Sequence, residues 1–396
     1  MWDIIVVGGG PTGSWTARGF AKAGMKTALL EEHSEIGIPV HCTGVVGQSM
    51  LDQFPQTKSC VWKQVNEFKI FSPEGESIIL PHITAFILNR QKLDLTLAHE
   101  AEKEGVHFFL NHKVSSISQE PSQVTVQAVT PGQQTTVHQA KIVVLATGST
   151  SNLARQSHLG EPPQYIRGVQ VEVEINNIPT IELFLGSKIA PGSFAWAVPT
   201  HEKIAKTGLI TLQNASLYLE KLFNSPFLKE RLIRVLGKPR ASRIPLGPSN
   251  STVENRLMAV GDVAGQVKTT TGGGIYYGLI GAEAAVSMGL KSYKNGDFSP
   301  PLLKQYHFMW QKQLGFELKA GLYFRKIFEK IQDADLNYLT QLLKKKELQD
   351  VLYQHANFDR HRDLIFALSK VPDIRAVMIQ LVRRNLFSSR TSFSLC

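Results

Sequence analysis

The sequence predicts a mixed α/β protein in which a parallel sheet with helices is followed by an antiparallel sheet and a helical C-terminal region. Three observations predict this arrangement. Residues 3–30 have the order strand, glycine turn, helix, strand, which is that of a βαβ unit. Residues 165–245 contain short segments in which apolar and polar side chains alternate, as in an antiparallel sheet with one exposed face. Beyond residue 296, apolar side chains recur at helical spacing.

Composition limits the possible classes of protein. The chain has 396 residues, of which 43% are hydrophobic and 19% charged, and such a chain folds rather than staying disordered. Three cysteines without a CxxC pair predict neither a disulfide framework nor a metal site, and they favour a reducing, cytoplasmic compartment. No apolar run approaches the roughly 18 residues of a membrane span. We see no signal peptide, because the first residues enter a strand at once.

The net charge of +10 is concentrated towards the C-terminus. Residues 291–396 hold 18 Lys and Arg against 10 Asp and Glu, so they carry +8 of the total. Residues 374–390 are predicted to form a basic amphipathic helix, which either lies peripherally on a membrane surface or caps the rest of the protein. The overall charge is modest and no zinc pattern is present, so a nucleic-acid partner is not predicted.

Residues 8–13, Gly-Gly-Gly-Pro-Thr-Gly, match the pattern G-x-G-x-x-G. They follow an apolar strand and open a helix, which is the context in which this pattern binds a dinucleotide. We expect Gly8 to allow a tight turn, Gly10 to admit a pyrophosphate, and Gly13 to bring the helix close to the strand. The helix N-terminus then faces the phosphates with its partial positive charge. The predicted phosphate site comprises Gly8, Gly10, Pro11, Thr12 and Gly13.

Glu31 lies 18 residues after Gly13, at the end of the second predicted strand. A carboxylate at this place accepts hydrogen bonds from both ribose hydroxyls and repels a 2′-phosphate. The bound adenosine is therefore predicted to belong to FAD or NAD rather than to NADP. The first motif leaves the choice between FAD and NAD open.

Later motifs indicate a flavin. Residues 258–265 form a predicted strand that ends in Gly-Asp before a glycine-bearing helix, and here the chain resembles FAD-dependent oxidoreductases of the p-hydroxybenzoate hydroxylase-like fold. Residues 265–278 resemble the long glycine-rich signature of the geranylgeranyl reductase family. Residues 39–44 resemble that family's Pro-x-x-Cys-Gly segment, with one residue inserted before the glycine. Residues 194–199 resemble its aromatic-x-Trp-x-Phe-Pro motif, with Val at the usual Phe.

The resemblance implies a Rossmann-like FAD-binding domain, and it implies roles for particular residues in that domain. Asp262 is implied to contact the ribityl chain and pyrophosphate, and Arg90 to contact FAD from a helix start. Thr147 stands where flavin hydroxylases have an Asp that helps to bind FAD and NADPH, so direct use of NADPH is less expected. Beyond the first loop, the implied FAD-binding residues are Glu31, Cys42, Arg90, Gly148, Asp262, Gly272, Gly273, Gly274 and Ile275.

The activity that the resemblance implies is reduction of isolated C=C bonds in a prenyl, geranylgeranyl-type chain on a lipid or isoprenoid. Hydride would pass from the flavin to one alkene carbon and a proton would reach the other. Cys42, His41 and Tyr276 are candidate catalytic residues near the flavin ring, although Cys42 also fits a small buried apolar residue. The candidate substrate-binding residues are Phe194, Trp196 and Tyr277, and helix or sheet packing is an equal alternative for them.

Several points stay open at this stage. The electron donor is NAD(P)H, ferredoxin or another reduced flavin. The same fold also carries FAD-dependent monooxygenases and halogenases, and the halogenase motif Trp-x-Trp-x-Ile-Pro is close to residues 194–199. A non-catalytic flavin-binding module is a further alternative. The expected domains are a discontinuous FAD-binding domain (1–60, 86–164 and 246–295), an antiparallel substrate-binding domain (61–85 and 165–245) and a C-terminal helical region (296–396).

Overall fold

The structure is a computed structural model that describes residues 1–388, with side chains described as far as Leu381. Residues 389–396, which include Cys396 and the end of the predicted basic helix, lie outside the described residues. The chain divides into two compact units. Unit 1 comprises Met1–Val61, Leu88–Tyr165 and Arg243–Lys319, and unit 2 comprises Trp62–Ile87, Ile166–Ser242 and the residues from Ala320 onward. The separate helical region stays a prediction, since residues 296–319 belong to unit 1.

The elements follow in chain order. The strands are β1 (Trp2–Val7), β2 (Thr27–Leu30), β3 (Val45–Gly47), β4 (Val61–Phe71), β5 (Ser77–Leu88), β6 (His107–Phe109), β7 (Lys113–Gln119), β8 (Val124–Val129), β9 (Thr135–Leu145), β10 (Gln164–Ile175), β11 (Ile181–Leu185), β12 (Phe194–His201), β13 (Ile204–Thr211), β14 (Leu232–Leu246), β15 (Val253–Glu254) and β16 (Leu257–Ala259). The helices are α1 (Pro11–Lys22), α2 (Gln48–Gln53), α3 (Arg90–Lys103), α4 (Leu153–Gln156), α5 (Ala215–Phe223), α6 (Ile275–Asn295), α7 (Pro300–Phe328), α8 (Asp333–Leu342), α9 (Lys346–His355), α10 (Arg362–Lys370) and α11 (Pro372–Ser388).

The sheet of unit 1 has the strand order β15-β16-β9-β1-β2-β6, and the β7–β8 hairpin joins it at β9. Strand β1 lies between β2 and β9 and is parallel to both, with Ile5 opposite Ala28 and Val143. All three residues are fully buried, in a core cluster that also contains Val124 and Val126 of the β7–β8 hairpin. Strands that are buried on both faces are continuous apolar runs. The parallel βαβ unit predicted from residues 3–30 is confirmed.

Small residues bring α1 and α6 close together against this sheet. A Cβ on Gly289 would lie 2.6 Å from the ring of Phe20, and one on Gly19 would lie 2.7 Å from Val286. Phe20 is fully buried. The two helices that begin at the predicted glycine motifs therefore pack side by side.

Unit 2 contains a mainly antiparallel sheet in which the strands run in the order β14-β10-β13-β12-β11-β4-β5. Strand β11 pairs antiparallel with β12 and parallel with β4. One face packs on helix α5, with Val171, Ala195 and Leu209 in the core. The antiparallel layer expected from residues 165–245 is confirmed, and with it the α/β plus β fold class.

The boundaries differ from the sequence pattern in three places. Residues 302–350 have helical spacing throughout but form three helices, α7, α8 and α9. Strands β4, β5 and β14 were not predicted one by one, although residues 61–85 and 165–245 were expected to form the antiparallel domain. Most side chains of the long strand β14 are exposed, so its sequence does not show a buried face. Within residues 1–388, no helix has both the length and the apolar character needed to cross a bilayer.

The β8–β9 hairpin makes the stability of unit 1 pH-dependent. Burial, and then the charge of His112, lower the pKa of His138 below its ordinary value. The folded state therefore favours the neutral imidazole. The contribution of His138 to the free energy of unfolding is present above the pKa that it has in the unfolded chain, and it is lost as the pH falls through the lower pKa of the folded protein. Between pH 7.5 and 5.5, the free energy of unfolding should fall less in His138→Gln than in the parent. Because His138 is only partly buried, the difference should be under about 1 kcal/mol.

Urea unfolding at several pH values measures this difference. His99→Gln, a change at an exposed histidine of α3, serves as the control and should keep the parental slope. Equal slopes for His138→Gln and the parent would contradict the assignment.

Candidate functional site

Two glycines of the first motif are required by backbone packing. Gly8 has a φ of +108°, and a Cβ on it would lie 2.5 Å from the carbonyl oxygen of Ala146. A Cβ on Gly13 would lie 1.9 Å from the carbonyl oxygen of Gly8. Gly10 differs, because no atom of the described residues lies within 4 Å of its Cβ position. The turn is therefore closed against the sheet at Gly8 and Gly13 and open at Gly10.

Helix α1 begins at this opening without a side-chain cap. Gly10 is the N-cap residue, Pro11 is the first helical residue, and the first turn contains no acidic residue. The first N–H groups of a helix have no partner within the helix. Together with the positive end of the helix dipole, they make this end of α1 suitable for a phosphate.

Glu31 follows β2, as predicted, and its carboxylate is held in place by two neighbours. Oε2 accepts a hydrogen bond from the Gly9 backbone N–H at 2.6 Å. Oε1 accepts one from the His33 backbone N–H at 3.0 Å and lies 2.5 Å from His33 Nδ1. The carboxylate is thereby oriented beside the glycine turn.

Arg90, the first residue of α3, forms a buried ion pair with Asp94. Its Nε and Nη2 donate to Asp94 at 3.0–3.1 Å. Burial alone lowers the pKa of Arg90, but the charge of Asp94 and the contact with Cys42 raise it above the ordinary value. Burial raises the pKa of Asp94, the charge of Arg90 opposes this, and that of Glu31 adds to it.

Cys42 lies in the loop before β3 and connects this pair to the loop backbone. Its Sγ accepts a hydrogen bond from the Gly44 N–H at 3.3 Å and contacts the Arg90 guanidinium. Gly44 has a φ of +82°, and a Cβ on it would lie 2.8 Å from the carbonyl oxygen of Leu88. The thiol is half-buried. The structure thus places Cys42 and Arg90 together.

Asp262 belongs to the same group of charges. Burial raises its pKa to about 6, and the charge of Arg90 opposes that rise. Arg90 is therefore near enough to influence Asp262 as well as Asp94, and Glu31 is near enough to influence Asp94. Four residues that the sequence or the resemblance singled out, from four separate segments, lie in one electrostatic neighbourhood: Glu31, Cys42, Arg90 and Asp262.

Two buried side chains, Gln266 and Tyr306, stabilise the turn that contains Asp262 through hydrogen bonds. Gln266 Oε1 accepts the Gly261 N–H at 2.7 Å, and Gln266 Nε2 donates to the hydroxyl of Tyr306 at 2.8 Å. That hydroxyl donates to the Ala259 carbonyl at 2.6 Å. Gln266 and Tyr306 are fully buried. They keep Gly261 at its φ of +75°. Neither was predicted as a site residue, because no local pattern shows that these two polar side chains are buried.

The two glycine motifs meet at Thr12. Its Oγ1 would lie 3.2 Å from a Cβ on Gly261 and 2.3 Å from one on Gly278. The first turn of α1 and the first turn of α6 are therefore neighbours. Helix α6 also begins without a side-chain cap, at Gly274, and without an acidic residue in its first turn.

The triple glycine before α6 makes room for neighbouring side chains. A Cβ on Gly274 would lie 2.7 Å from Asp262 Oδ1, and one on Gly273 would lie 3.0 Å from Lys268 Cε. Gly272 has a φ of +77°. Lys268, 5% exposed, lies across this turn and was not predicted. Its burial could not be predicted from local sequence, because an isolated lysine is usually exposed.

Further features mark the same region as open to a polar ligand. The hydroxyl oxygens of Thr147 and Thr271 are buried and have no hydrogen-bond partner among the described residues. Gly148 has a φ of +69°, and no described atom lies within 4 Å of its Cβ position. Buried polar atoms are rarely left unpaired in a folded protein.

Three further candidates, Tyr276, Tyr277 and His41, are not among the charged residues grouped around Arg90. Tyr276 donates from its hydroxyl to Gln53 Oε1 at 3.1 Å, and Tyr277 is 1% exposed in α6. His41 is exposed in the loop of Cys42. Their catalytic and substrate-binding roles stay predictions.

Phe194 and Trp196 lie in unit 2, on the face of β12 opposite its core. The Trp196 ring would lie 2.8 Å from a Cβ on Gly208, which is its partner on β13. The Trp196 Nε1 atom is buried without a partner among the described residues. Glycine at position 208 therefore lets the indole lie flat on the sheet.

Solved structures with a similar fold cover almost the whole chain. A geranylgeranyl bacteriochlorophyll reductase-like protein from Thermoplasma acidophilum has a TM-score of 0.83 and 23% identity, over 96% of this chain and 99% of that one. A triple mutant of the flavin-dependent brominase Bmp2 has a TM-score of 0.72 and 14% identity, over 97% of this chain and 100% of that one. At these identities the likeness establishes the fold.

Sequence comparison establishes the family. The family model described as lycopene cyclase protein matches residues 3–336. A digeranylgeranylglycerophospholipid reductase from Methanocaldococcus jannaschii is 30% identical over 365 residues, which are 87% of this chain and 90% of that protein. The chain therefore belongs to the lycopene cyclase protein family and to the geranylgeranyl reductase family that its motifs indicated.

The Tyr306 network gives a test of how the Gly261 turn is held. Tyr306→Phe should leave the Ala259 carbonyl and the Gln266 amide buried and unpaired, which costs about 1–3 kcal/mol of unfolding free energy. Tyr338→Phe, at a half-exposed position of α8, should change it by less than about 0.5 kcal/mol. Urea unfolding measures both. A Tyr306→Phe protein as stable as the parent would show that the network does not hold the turn.

Proposed function

We propose that this protein binds FAD in unit 1 and uses it to reduce C=C bonds in the prenyl chain of a lipid or isoprenoid. The observation that carries the proposal is the junction of the Gly8–Gly13 turn with the Gly261–Gly274 segment, beside Glu31, Arg90 and Asp262. A relative that is 30% identical over most of both chains is named as a reductase of a prenylated glycerophospholipid, and this supports the substrate class.

The residues present fit a dinucleotide. An uncapped helix end suits its pyrophosphate, and the open space at Gly10 leaves room for the phosphate to approach. The oriented Glu31 carboxylate accepts from ribose hydroxyls. The uncapped start of α6, the Asp262 carboxyl group and the unpaired Thr271 hydroxyl offer donors and acceptors for the flavin end.

The chain's own residues bind the cofactor, orient the substrate and exclude water from the site. Reduced FAD, when bound, supplies hydride to one alkene carbon, and with a proton at the other carbon the bond is saturated. An isolated alkene is a poor hydride acceptor, so the site has to exclude water and align the chain closely. Cys42, held by Gly44 and Arg90, and His41 in the same loop are the proposed groups for proton delivery. A transient reductant, NAD(P)H, ferredoxin or reduced flavin, supplies the electrons.

The substrate-binding role of Phe194, Trp196 and Tyr277 stays part of the proposal. The lipid substrate also implies work at a membrane surface. Most of the basic segment 374–390 lies in α11.

Gly10 allows a test of FAD binding that leaves the fold unchanged. Because the Cβ position at Gly10 is free of protein atoms, Gly10→Ala should fold normally but obstruct the phosphate. We expect FAD affinity to fall at least about tenfold, which is about 1.4 kcal/mol. Titration of the apoprotein with FAD, followed by flavin fluorescence, measures this. Gly132→Ala, whose added Cβ also meets no atom of the described residues, should match the parent in affinity and melting temperature. Unchanged affinity in Gly10→Ala would contradict the proposed phosphate site.

The reaction itself is tested anaerobically. Purified holoprotein is reduced with dithionite and incubated with a digeranylgeranyl glycerolipid, and the lipid is then analysed by mass spectrometry. Each reduced bond should add about two mass units, because hydride plus proton adds H₂. The matched control is apoprotein that is treated in the same way but receives no FAD.

The alternatives give different products. Cyclisation, the reaction in the name of the family model, is an isomerisation and leaves the mass unchanged. A monooxygenase or halogenase requires oxygen and adds oxygen or halogen. An unchanged lipid together with stably bound reduced FAD would indicate a non-catalytic module.

A further inference from the structure

Helix α7 presents an unusual outer face in unit 1. Its inner side is fully buried, with Tyr306 and Trp310 both at 0% exposure. The opposite side carries Phe308 at 60%, Met309 at 37% and Phe316 at 57% exposure. Exposed large apolar side chains that share one face mark an interaction site more often than single ones do.

Lysines alternate with these apolar side chains. Residues 304, 308, 312 and 316 are spaced four apart and residue 319 follows after three, so they lie on one side of the helix. We call Lys304, Phe308, Met309, Lys312, Phe316 and Lys319 the α7 outer face. Lys291 of α6 adjoins it, because its Nζ donates to Gln305 of α7 at 2.8 Å. Glu317 is the one carboxylate in residues 300–319, and it is half-buried.

We infer that the α7 outer face docks this protein on an anionic lipid bilayer. Exposed lysines are attracted to anionic headgroups, while Phe308, Met309 and Phe316 enter the boundary between headgroups and acyl chains. A second copy of the chain does not fit this face, because a symmetric contact would bring the lysines of both copies together. This inference rests on the proposed function, because an enzyme that reduces a membrane lipid has to reach that lipid in the bilayer.

The experiment measures sedimentation of the holoprotein with vesicles, without substrate or reductant. The parent should bind vesicles of phosphatidylglycerol and phosphatidylcholine, bind pure phosphatidylcholine poorly, and be released as salt rises. In K304Q/K312Q/K319Q, the lipid concentration for half binding should rise about fivefold for each lysine, or about 100-fold in all. In F308S/F316S it should rise at least about tenfold.

Matched controls separate this face from the general positive charge. K22Q/K58Q/K229Q removes the same charge from exposed positions elsewhere, and Y338S/Y353S removes two exposed aromatic rings from α8 and α9. Both should bind vesicles within about twofold of the parent. All variants change exposed residues, and flavin content and melting temperature verify that they fold.

Several results would overturn the inference. These are absence of binding to anionic vesicles, equal weakening by K22Q/K58Q/K229Q and by K304Q/K312Q/K319Q, and parental binding by F308S/F316S. Light scattering that shows a dimer abolished by F308S/F316S, without vesicle binding, would assign the face to a second copy instead. A protein that binds vesicles through this face but leaves prenyl lipids unreduced would refute the proposed function alone.

Discussion

The contact of Thr12 with Gly261 and Gly278 is the constraint on which the candidate site depends. It brings the start of α1 and the start of α6 together, although they come from the first and the last segments of unit 1 in the sequence. The separation is so small that a side chain at Gly278 would overlap the Thr12 hydroxyl, with a Cβ only 2.3 Å from Oγ1. Glycine at these positions therefore decides whether two uncapped helix ends can face one region. If the starts of α1 and α6 did not pack this closely, Glu31 and Asp262 would not lie near each other.

Charge organises the same region. Two helix N-termini bring partial positive charge without acidic residues in their first turns, and carboxylates of Glu31, Asp94 and Asp262 lie nearby. Arg90 links two of these carboxylates, since its charge influences both Asp94 and Asp262. Removing one member of such a group leaves another charge buried and unpaired, which is costly. The arrangement is therefore stable as a set, and it suits a ligand with anionic phosphates at one end and a polar ring at the other.

Sequence reasoning found the backbone motifs more reliably than the side chains that support them. The βαβ unit and the strand before Asp262 were predicted, because their residues differ strongly in polarity and in glycine content from the segments around them. The triple glycine was expected to admit a flavin, yet Gly273 and Gly274 also make room for Lys268 and Asp262. Gln266, Tyr306 and Lys268 were missed, since a buried polar residue has no local pattern. Strand β14 was missed because its exposed, charged sequence does not alternate clearly.

The class of fold and the segments with candidate site residues could be read from the amino-acid sequence. Glycine spacing after an apolar strand is a local property, because it depends on φ angles and on the contact between adjacent elements. Which of these segments meet depends on the packing of elements that are remote in sequence, as the convergence of Cys42, Arg90 and Asp262 shows. The packing also decides which side of α7 is buried, and hence that its lysines and phenylalanines share an exposed face. Helical periodicity identifies the stripes of a helix, but only the neighbouring elements select the one that becomes core.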